Sequence, residues 1–307
     1  VVAPVRAQER SDSGLDDTRR NAVIEALIGE LVRAYVFPEK ADAMAADLRA
    51  RLGRGEYGAV TQRGEFARVL TEHLQAVSHD KHLRVRVDQV GGGSGPPSGS
   101  APPAAFGRGE RLEGDVAYIE ITSFGFPPEA VRERTRELLS AAADAAALII
   151  DLRRNGGGHP GMVALVSSYL FGNEPVHLNS LYWRPANRTD DFFTDPKVEG
   201  RKFGPDKPVY VLTSSRTFSA AEEFAYNLQS RKRASIVGET TGGGAHPGGG
   251  VRLPHGFFMF VPSGRAINPI TRTNWEGTGV KPEVAVPADS ALSAAHRLAR
   301  QQANRRT

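Results

Sequence analysis

The sequence predicts a layered α/β protein with a small helical subdomain at its N-terminal end. Residues 16–78 carry apolar side chains at helical spacing, whereas from residue 111 onward short apolar runs alternate with helical patterns. A Gly-, Pro- and Ser-rich stretch separates the two regions. We therefore expect four segments: a disordered N-terminus over residues 1–14, a helical subdomain over 15–80, a strand and flexible linker over 81–110, and an α/β core over 111–307.

The helical subdomain is predicted from three consecutive amphipathic patterns. The first extends from Asp16 to Phe37 and ends before Pro38, which cannot continue a helix. The second, "PEKADAMAADLRARL", begins at that proline, and the third, "GEFARVLTEHLQAVS", ends near Ser78. "KHLRVRVDQV" then reads as a strand, and "GGGSGPPSGSAPPAAFGRG" as a flexible linker with too little apolar surface to order itself.

The core is predicted from strands that alternate with helices. The strands are "DVAYIEITSF", "AALIIDLR", "PVYVLTSS", "ASIVGE" and "GFFMFVPSG". The helices between and after them are "PPEAVRERTRELLSAAAD", "HPGMVALVSSYLF", "SAAEEFAYNLQS" and "SALSAAHRLARQQ". This alternation is typical of a sheet covered by helices.

Composition places the chain among soluble globular proteins, because 40% of its 307 residues are hydrophobic and 24% are charged. No apolar run approaches the ~18 residues that span a bilayer, so no membrane span is expected. The net charge of +4 is mild, and the basic clusters "SRKRAS" and "RLARQQANRRT" lack interleaved aromatics, so no nucleic-acid partner is expected. Cysteine is absent, which excludes disulfides, thiolate nucleophiles and zinc–thiolate sites.

The first residues indicate export to the periplasm or secretion. Val5 and Ala7 fit the small residues before a signal-peptidase cleavage site, and Val1 to Pro4 resemble the end of an apolar signal core. An ordinary disordered terminus would explain the same residues. We expect a periplasmic or secreted protein.

A glycine-rich loop and a serine carry the strongest chemical signals. Gly156, Gly157 and Gly158 follow a buried strand, and their backbone could approach a phosphate or an oxyanion, although the loop lacks the Lys and spacing of a P-loop. Ser219 lies where a strand ends and a helix begins, which suits either a helix cap or a nucleophile. The amide of Ala220 would point to the same place as the hydroxyl, as in an oxyanion hole.

A serine nucleophile needs a base and an acid that orients the base. His82, His159 and His246 lie at element boundaries or in glycine-rich loops, and spacing alone does not rank them. The acids are equally open: Glu222 and Glu223 lie on the helix of Ser219, whereas Glu239 and Glu276 follow strands.

Four landmarks in order resemble the C-terminal processing, or tail-specific, serine peptidases. They are "SHDKHLRV", "LIIDLRRNGGGHPGMVALVSSYLF", "TSSRTFSAAEEFAYNLQSRKRASIVGETTGGGAHP" and "WEGTGVKPEVAV", and they extend over roughly residues 20 to 290. The match is closest to the branch containing the tricorn protease core and the modules of interphotoreceptor retinoid-binding protein. The resemblance implies a crotonase-like ββα-spiral core beside the helical subdomain.

The resemblance also implies roles for individual residues. Ser219 matches the nucleophile, His82 the general base and Glu276 the acid that orients the histidine. Ala220 and either Gly156 or Gly157 match the oxyanion hole. Such an enzyme hydrolyses protein or peptide substrates and uses no metal or cofactor.

Two departures from the family pattern matter. Gly244 occupies the position of the lysine in Ser–Lys relatives, so a histidine base is expected. The stretch between His82 and Asp115 is too short for the PDZ domain that many relatives carry there. Two other functions remain open: a binding module for retinoid- or fatty-acid-type ligands, with "HGFFMFVPSG" and "DDFFTDP" as apolar surface, and crotonase-like acyl-CoA chemistry.

Overall fold

A computed structural model describes residues 15–88 and 104–303. The predicted disordered and exported N-terminus, residues 1–14, lies outside the described residues, as do residues 89–103 of the predicted linker. Among the helices of the described ranges, none combines the length and the apolar character needed to cross a bilayer.

Three helices form the N-terminal region, in the order α1 (Asp17–Ala34), α2 (Pro38–Gly53) and α3 (Arg63–Ser78). The Asp16 side chain caps α1 by accepting a hydrogen bond from the Arg19 amide. Their apolar faces pack into one hydrophobic cluster, as the helical spacing predicts. Strand β1 (Arg84–Val87) follows, and its Val85 packs into the same cluster.

The core is built on a six-stranded sheet in the order β12-β8-β7-β4-β3-β2. These strands are β2 (Phe106–Leu112), β3 (Val116–Ile121), β4 (Ala147–Asp151), β7 (Val209–Thr213), β8 (Ser235–Gly238) and β12 (Val284–Ala285). All neighbours are parallel except β2 and β3. β3, β4 and β7 are buried along their whole length, as expected of parallel strands covered on both faces.

Helices cover both faces of this sheet. They are α4 (Pro128–Ala142), α5 (Pro160–Ser168), α6 (Ala220–Ser230) and α7 (Ala288–Ala303). One cluster packs beneath α4, α5 and α6, and a second, smaller cluster packs beneath α7. The layered α/β architecture with N-terminal helices is therefore confirmed.

Two smaller antiparallel sheets complete the chain. One contains β5 (His177–Trp183) between β6 (Arg188–Phe193) and β11 (Gly264–Ile267). The other contains β10 (Phe257–Pro262) between β1 and β9 (Gly248–Leu253). Since β1 comes from the N-terminal region, this second sheet joins the helical region to the core.

The predicted domain boundaries remain predictions. β2 starts at Phe106 and already belongs to the central sheet, ahead of the boundary expected at residue 111. Within the predicted helical segment, the Val36 amide donates to the Pro262 carbonyl of β10 at 2.9 Å, so a hydrogen bond joins the helical region to the core.

Candidate active site

Ser219 lies in a turn that is anchored to the central sheet. Beyond the end of β7, the Ser214 hydroxyl donates to the Arg153 carbonyl at 2.6 Å, and the Thr217 hydroxyl donates to the Leu152 carbonyl at 2.9 Å. Both carbonyls follow β4, so the two hydroxyls tie the turn to the neighbouring strand. Ser219 itself sits at the N-cap of α6 with φ 56° and ψ −123°. Such a backbone conformation costs a non-glycine residue about 1–3 kcal/mol and is typical of functional sites.

Glu222 holds the turn in place from inside the protein. Its buried carboxylate accepts hydrogen bonds from the backbone amides of Ser219 at 2.9 Å, Gly243 at 2.6 Å and Gly244 at 2.8 Å, and from the Thr241 hydroxyl at 2.5 Å. Burial raises the pKa of Glu222, whereas these four donors act in the opposite direction. One side chain thus fixes the Ser219 turn to the loop that follows β8.

The glycine loop lies directly against Ser219. A Cβ added to Gly157 would be 2.7 Å from the Ser219 Cβ and 3.0 Å from the Ala220 amide nitrogen, so only glycine permits this approach. The Gly157 amide donates to the Asn155 side-chain oxygen at 2.9 Å. Gly156 lines the same cleft as Ser219, and its added Cβ would meet open space.

His82 faces Ser219 across a cleft of about 830 Å³ that both residues line. The imidazole packs against Phe218 at 4.5 Å and Phe260 at 5.9 Å between ring centroids. Its Nδ1 is buried without a hydrogen-bond partner. Burial lowers the pKa of His82 to about 4, although the Asp80 charge opposes this effect. The ring is therefore neutral at pH 7, the state that a general base requires.

Glu276 contacts the Ala245 amide and His246. Its Oε2 accepts from the Ala245 amide at 2.5 Å and lies 3.5 Å from His246 Nδ1. Its Oε1 is buried without a partner. Burial raises the pKa of Glu276 to about 7, while His246 opposes this effect.

Asp80 connects these groups, and the sequence did not single it out. Its Oδ1 accepts from the His82 amide at 3.0 Å, and its Oδ2 lies 2.8 Å from His246 Nδ1 and accepts from the Tyr35 hydroxyl at 3.1 Å. Asp80, His246 and Glu276 also offer ligand atoms within 4.8 Å of one another, a set that could hold a metal ion. The Asp80–His246 contact of 2.8 Å by itself explains why these side chains lie together, without a metal ion.

The structure brings Ser219, His82 and the glycine loop to one cleft. Over the described ranges, however, no hydrogen bond joins Ser219 to His82 or His82 to Glu276. Lys81 is a further cleft residue that sequence reasoning missed, and its Nζ donates to the Gly242 carbonyl at 2.6 Å. The sequence signal that could have identified Lys81 is its position directly before His82, the expected base.

The other candidate residues have structural partners. His159 caps α5, since its Nδ1 accepts from the Gly161 amide at 3.0 Å. Glu239 accepts from the amides of Ser215 and Ala288, each at 3.0 Å. His246 faces Asp80 and Glu276 rather than Ser219.

Comparison with known families gives two matches along the chain. Residues 115–286 match the model of peptidase family S41. Residues 17–107 match the model of the N-terminal domain of peptidase S41 in eukaryotic IRBP. The first match alone covers more than half of the 307 residues.

Individual relatives agree with these matches. Over 138 residues the chain is 32% identical to the tail-specific protease of Haemophilus influenzae, which is 44% of this chain but only 18% of that relative's length. In fold it is similar to a candidate peptidase from Parabacteroides merdae, with a TM-score of 0.67 and 18% identity over 92% of this chain and 96% of that one. It is also similar to the tricorn protease, with a TM-score of 0.62 and 13% identity over 93% of this chain and 37% of that one.

Proposed function

Because this chain belongs to peptidase family S41, we propose that it is a serine peptidase that hydrolyses peptide bonds through Ser219. The observation that carries the proposal is the strained backbone of Ser219 at the start of α6, beside a glycine loop and opposite a neutral histidine in one cleft. A tight strand-to-helix turn of this kind exposes a serine hydroxyl to a substrate. The fold neighbours are too distant in sequence to carry the activity, so the proposal depends on family membership and this geometry.

We propose His82 as the general base and Glu276 as the acid that orients it. His82 Nδ1 and Glu276 Oε1 are both buried and both lack a partner. Buried polar atoms are rarely left unpaired, and these two are a complementary donor and acceptor. Closure around a substrate would need to bring them together, with His82 Nε2 directed at the Ser219 hydroxyl. The histidine would then take the serine proton as the hydroxyl attacks the peptide carbonyl.

The oxyanion would be held by backbone amides. Ala220 follows the nucleophile, and Gly156 or Gly157 would supply the second donor. The Gly157 amide already donates to Asn155, which favours Gly156. Loss of one such donor typically costs about 2.7–4 kcal/mol of transition-state stabilisation.

The experiment that tests this proposal combines turnover with covalent labelling. Ser219→Ala should abolish hydrolysis of denatured casein and labelling by a fluorophosphonate while the thermal unfolding transition persists. His82→Ala should lose turnover, whereas Lys81→Met should retain it. Turnover that survives Ser219→Ala would overturn the assignment, and loss confined to Lys81→Met would move the base to the lysine.

A carrier of apolar ligands is the second candidate, and one observation favours it. The side chains of β10 alternate, so that Phe257 and Met259 are buried against the N-terminal helices whereas Phe258 and Phe260 line the cleft. The cleft therefore has an aromatic wall. Tight retinoid or fatty-acid binding without fluorophosphonate labelling of Ser219 would support the carrier.

The substrate and the location of the protein are further proposals. The family match suggests protein or peptide substrates. The chain spans less than a fifth of its tail-specific relative, so that relative's substrates do not transfer directly. Export is proposed from Val5 and Ala7, and an N-terminal sequence of the protein isolated from the native cell fractions would test it.

A further inference from the structure

A second, much smaller cavity opens at the same serine. Its volume is about 40 Å³, and it shares Ser219 and Gly158 with the large cleft. Ala220, whose amide is proposed to hold the oxyanion, also lines it. A side chain on the acyl side of the scissile bond would enter a cavity in this place.

The cavity walls leave room for only a few atoms. Ala220, Ala245, Ala266 and Gly244 supply small walls, and Trp275 closes the space. The Trp275 ring nitrogen donates to the Gly244 carbonyl at 2.7 Å, which holds the ring in position. One water-sized group needs roughly 10–15 Å³ by this measure, so the cavity holds about three such groups. That suits a small side chain and excludes leucine, phenylalanine or lysine.

One wall of the cavity carries an acidic side chain. Glu223 is the only ionisable side chain among the described residues that line the space, and it is 5% exposed. Its Oε1 is fully buried near the side-chain amides of Asn179 and Asn227. Burial raises the pKa of Glu223 to about 7, and the nearby amides of Asn179 and Asn227 oppose this effect only in part.

A polar side chain in the wall of a small cavity favours a ligand that can hydrogen-bond to it over one that cannot. Alanine would fill the cavity without bonding to Glu223. Serine and threonine add a hydroxyl, which can donate to a carboxylate or accept from a carboxylic acid. The polar wall therefore favours a hydroxyl within the narrow size limit that the other walls set.

We propose that this cavity receives the residue immediately before the cleaved bond, and that Glu223 selects serine or threonine there. The inference rests on the proposed peptidase function and adds a substrate class to it. Glu223 acts as a specificity residue and takes no part in the proton transfers.

Binding of product-like peptides tests the cavity separately from turnover. Dye-labelled tetrapeptides Ala-Ala-Ala-X, with Ser, Thr, Ala or Leu at the free C-terminus, are titrated into the Ser219→Ala protein by fluorescence polarisation. Ser and Thr should bind about tenfold more tightly than Ala, the effect of one ordinary hydrogen bond, and Leu should bind weakest. Glu223→Leu in the same background should remove the Ser–Ala difference, whereas the isosteric Glu223→Gln should retain it. The exposed Glu129→Leu is the matched control and should change nothing.

Peptide sequencing of a denatured-casein digest then separates the two proposals. New C-termini at Ser or Thr that depend on Ser219 support both. Ser219-dependent cleavage with equal binding of the Ser and Ala peptides overturns the cavity assignment alone. A retained Ser preference in binding without Ser219-dependent cleavage overturns the peptidase and leaves the cavity as a ligand site. A Ser preference that survives Glu223→Leu overturns the role of Glu223.

Discussion

Replacement of Glu222 should loosen the turn that carries Ser219. In Glu222→Ala, three backbone amides and the Thr241 hydroxyl lose their shared acceptor in a buried site. Each buried donor left unsatisfied costs about 1–3 kcal/mol, and water that enters the vacated space will recover part of this. We therefore expect the free energy of unfolding to fall by about 4 kcal/mol, at the upper end of single substitutions.

Urea unfolding measures this loss, and the rate of fluorophosphonate labelling reports the position of Ser219. We expect labelling to slow by about a hundredfold, because Ser219 would no longer be held in its costly conformation. Glu239→Ala is the matched control, since Glu239 accepts only two amide hydrogen bonds and is partly exposed. It should cost much less stability and leave labelling intact. A Glu222→Ala protein that loses less than about 2 kcal/mol and labels normally would refute this reasoning.

Three further outcomes are expected. Gly158→Ala should lower both the melting temperature and Ser219 labelling, because its Cβ would lie 2.0 Å from a backbone carbon of the β3–α4 loop. Gly172→Ala is the control and should match the parent, because a Cβ there would meet open space. As pH falls, kcat/KM should decline with a midpoint near pH 7, where Glu276 becomes protonated and loses its charge. Glu276→Gln should move this midpoint toward the His82 pKa of about 4, and a midpoint near pH 4 in the parent would contradict the reasoning. Burial raises the pKa of Glu223 from 4.5 to about 7, so the folded state binds more protons in that window and the free energy of unfolding falls as pH rises through it. Glu223→Gln should remove a decline of about 3 kcal/mol between pH 5 and pH 8 in urea unfolding, and an unchanged decline would count against the shift.

Much of the fold follows from local sequence patterns. The apolar spacing before Pro38 and the largely apolar runs of β3, β4 and β7 predict the helices and the buried parallel strands. The strand-to-helix position of Ser219 also follows from such a pattern. Its backbone conformation does not, because it is imposed by hydroxyls and a carboxylate that bond to distant parts of the chain.

The partners of the candidate site could not be ranked from spacing. Glu222 lies on the helix of Ser219, where local reasoning gives it only a helix-end role, yet its main contacts are to the loop after β8. Asp80 gains its importance from Tyr35 and His246, which are 45 and 166 residues away in sequence. Such contacts depend on how β1 meets β10, and no single stretch of sequence records that pairing.

The hairpin of β9 and β10 lies within the family S41 match but packs with the N-terminal helices. Leu253, Phe257, Met259 and Val261 lie within the family S41 match, yet they bury their side chains among those of the N-terminal helices. A fragment of residues 17–107 would therefore lack part of the apolar surface against which its helices pack. A fragment of residues 115–286 would expose the apolar side chains of the β9–β10 hairpin and would lack His82. We therefore expect neither fragment to fold by itself, and the two fragments to fold together when they are mixed.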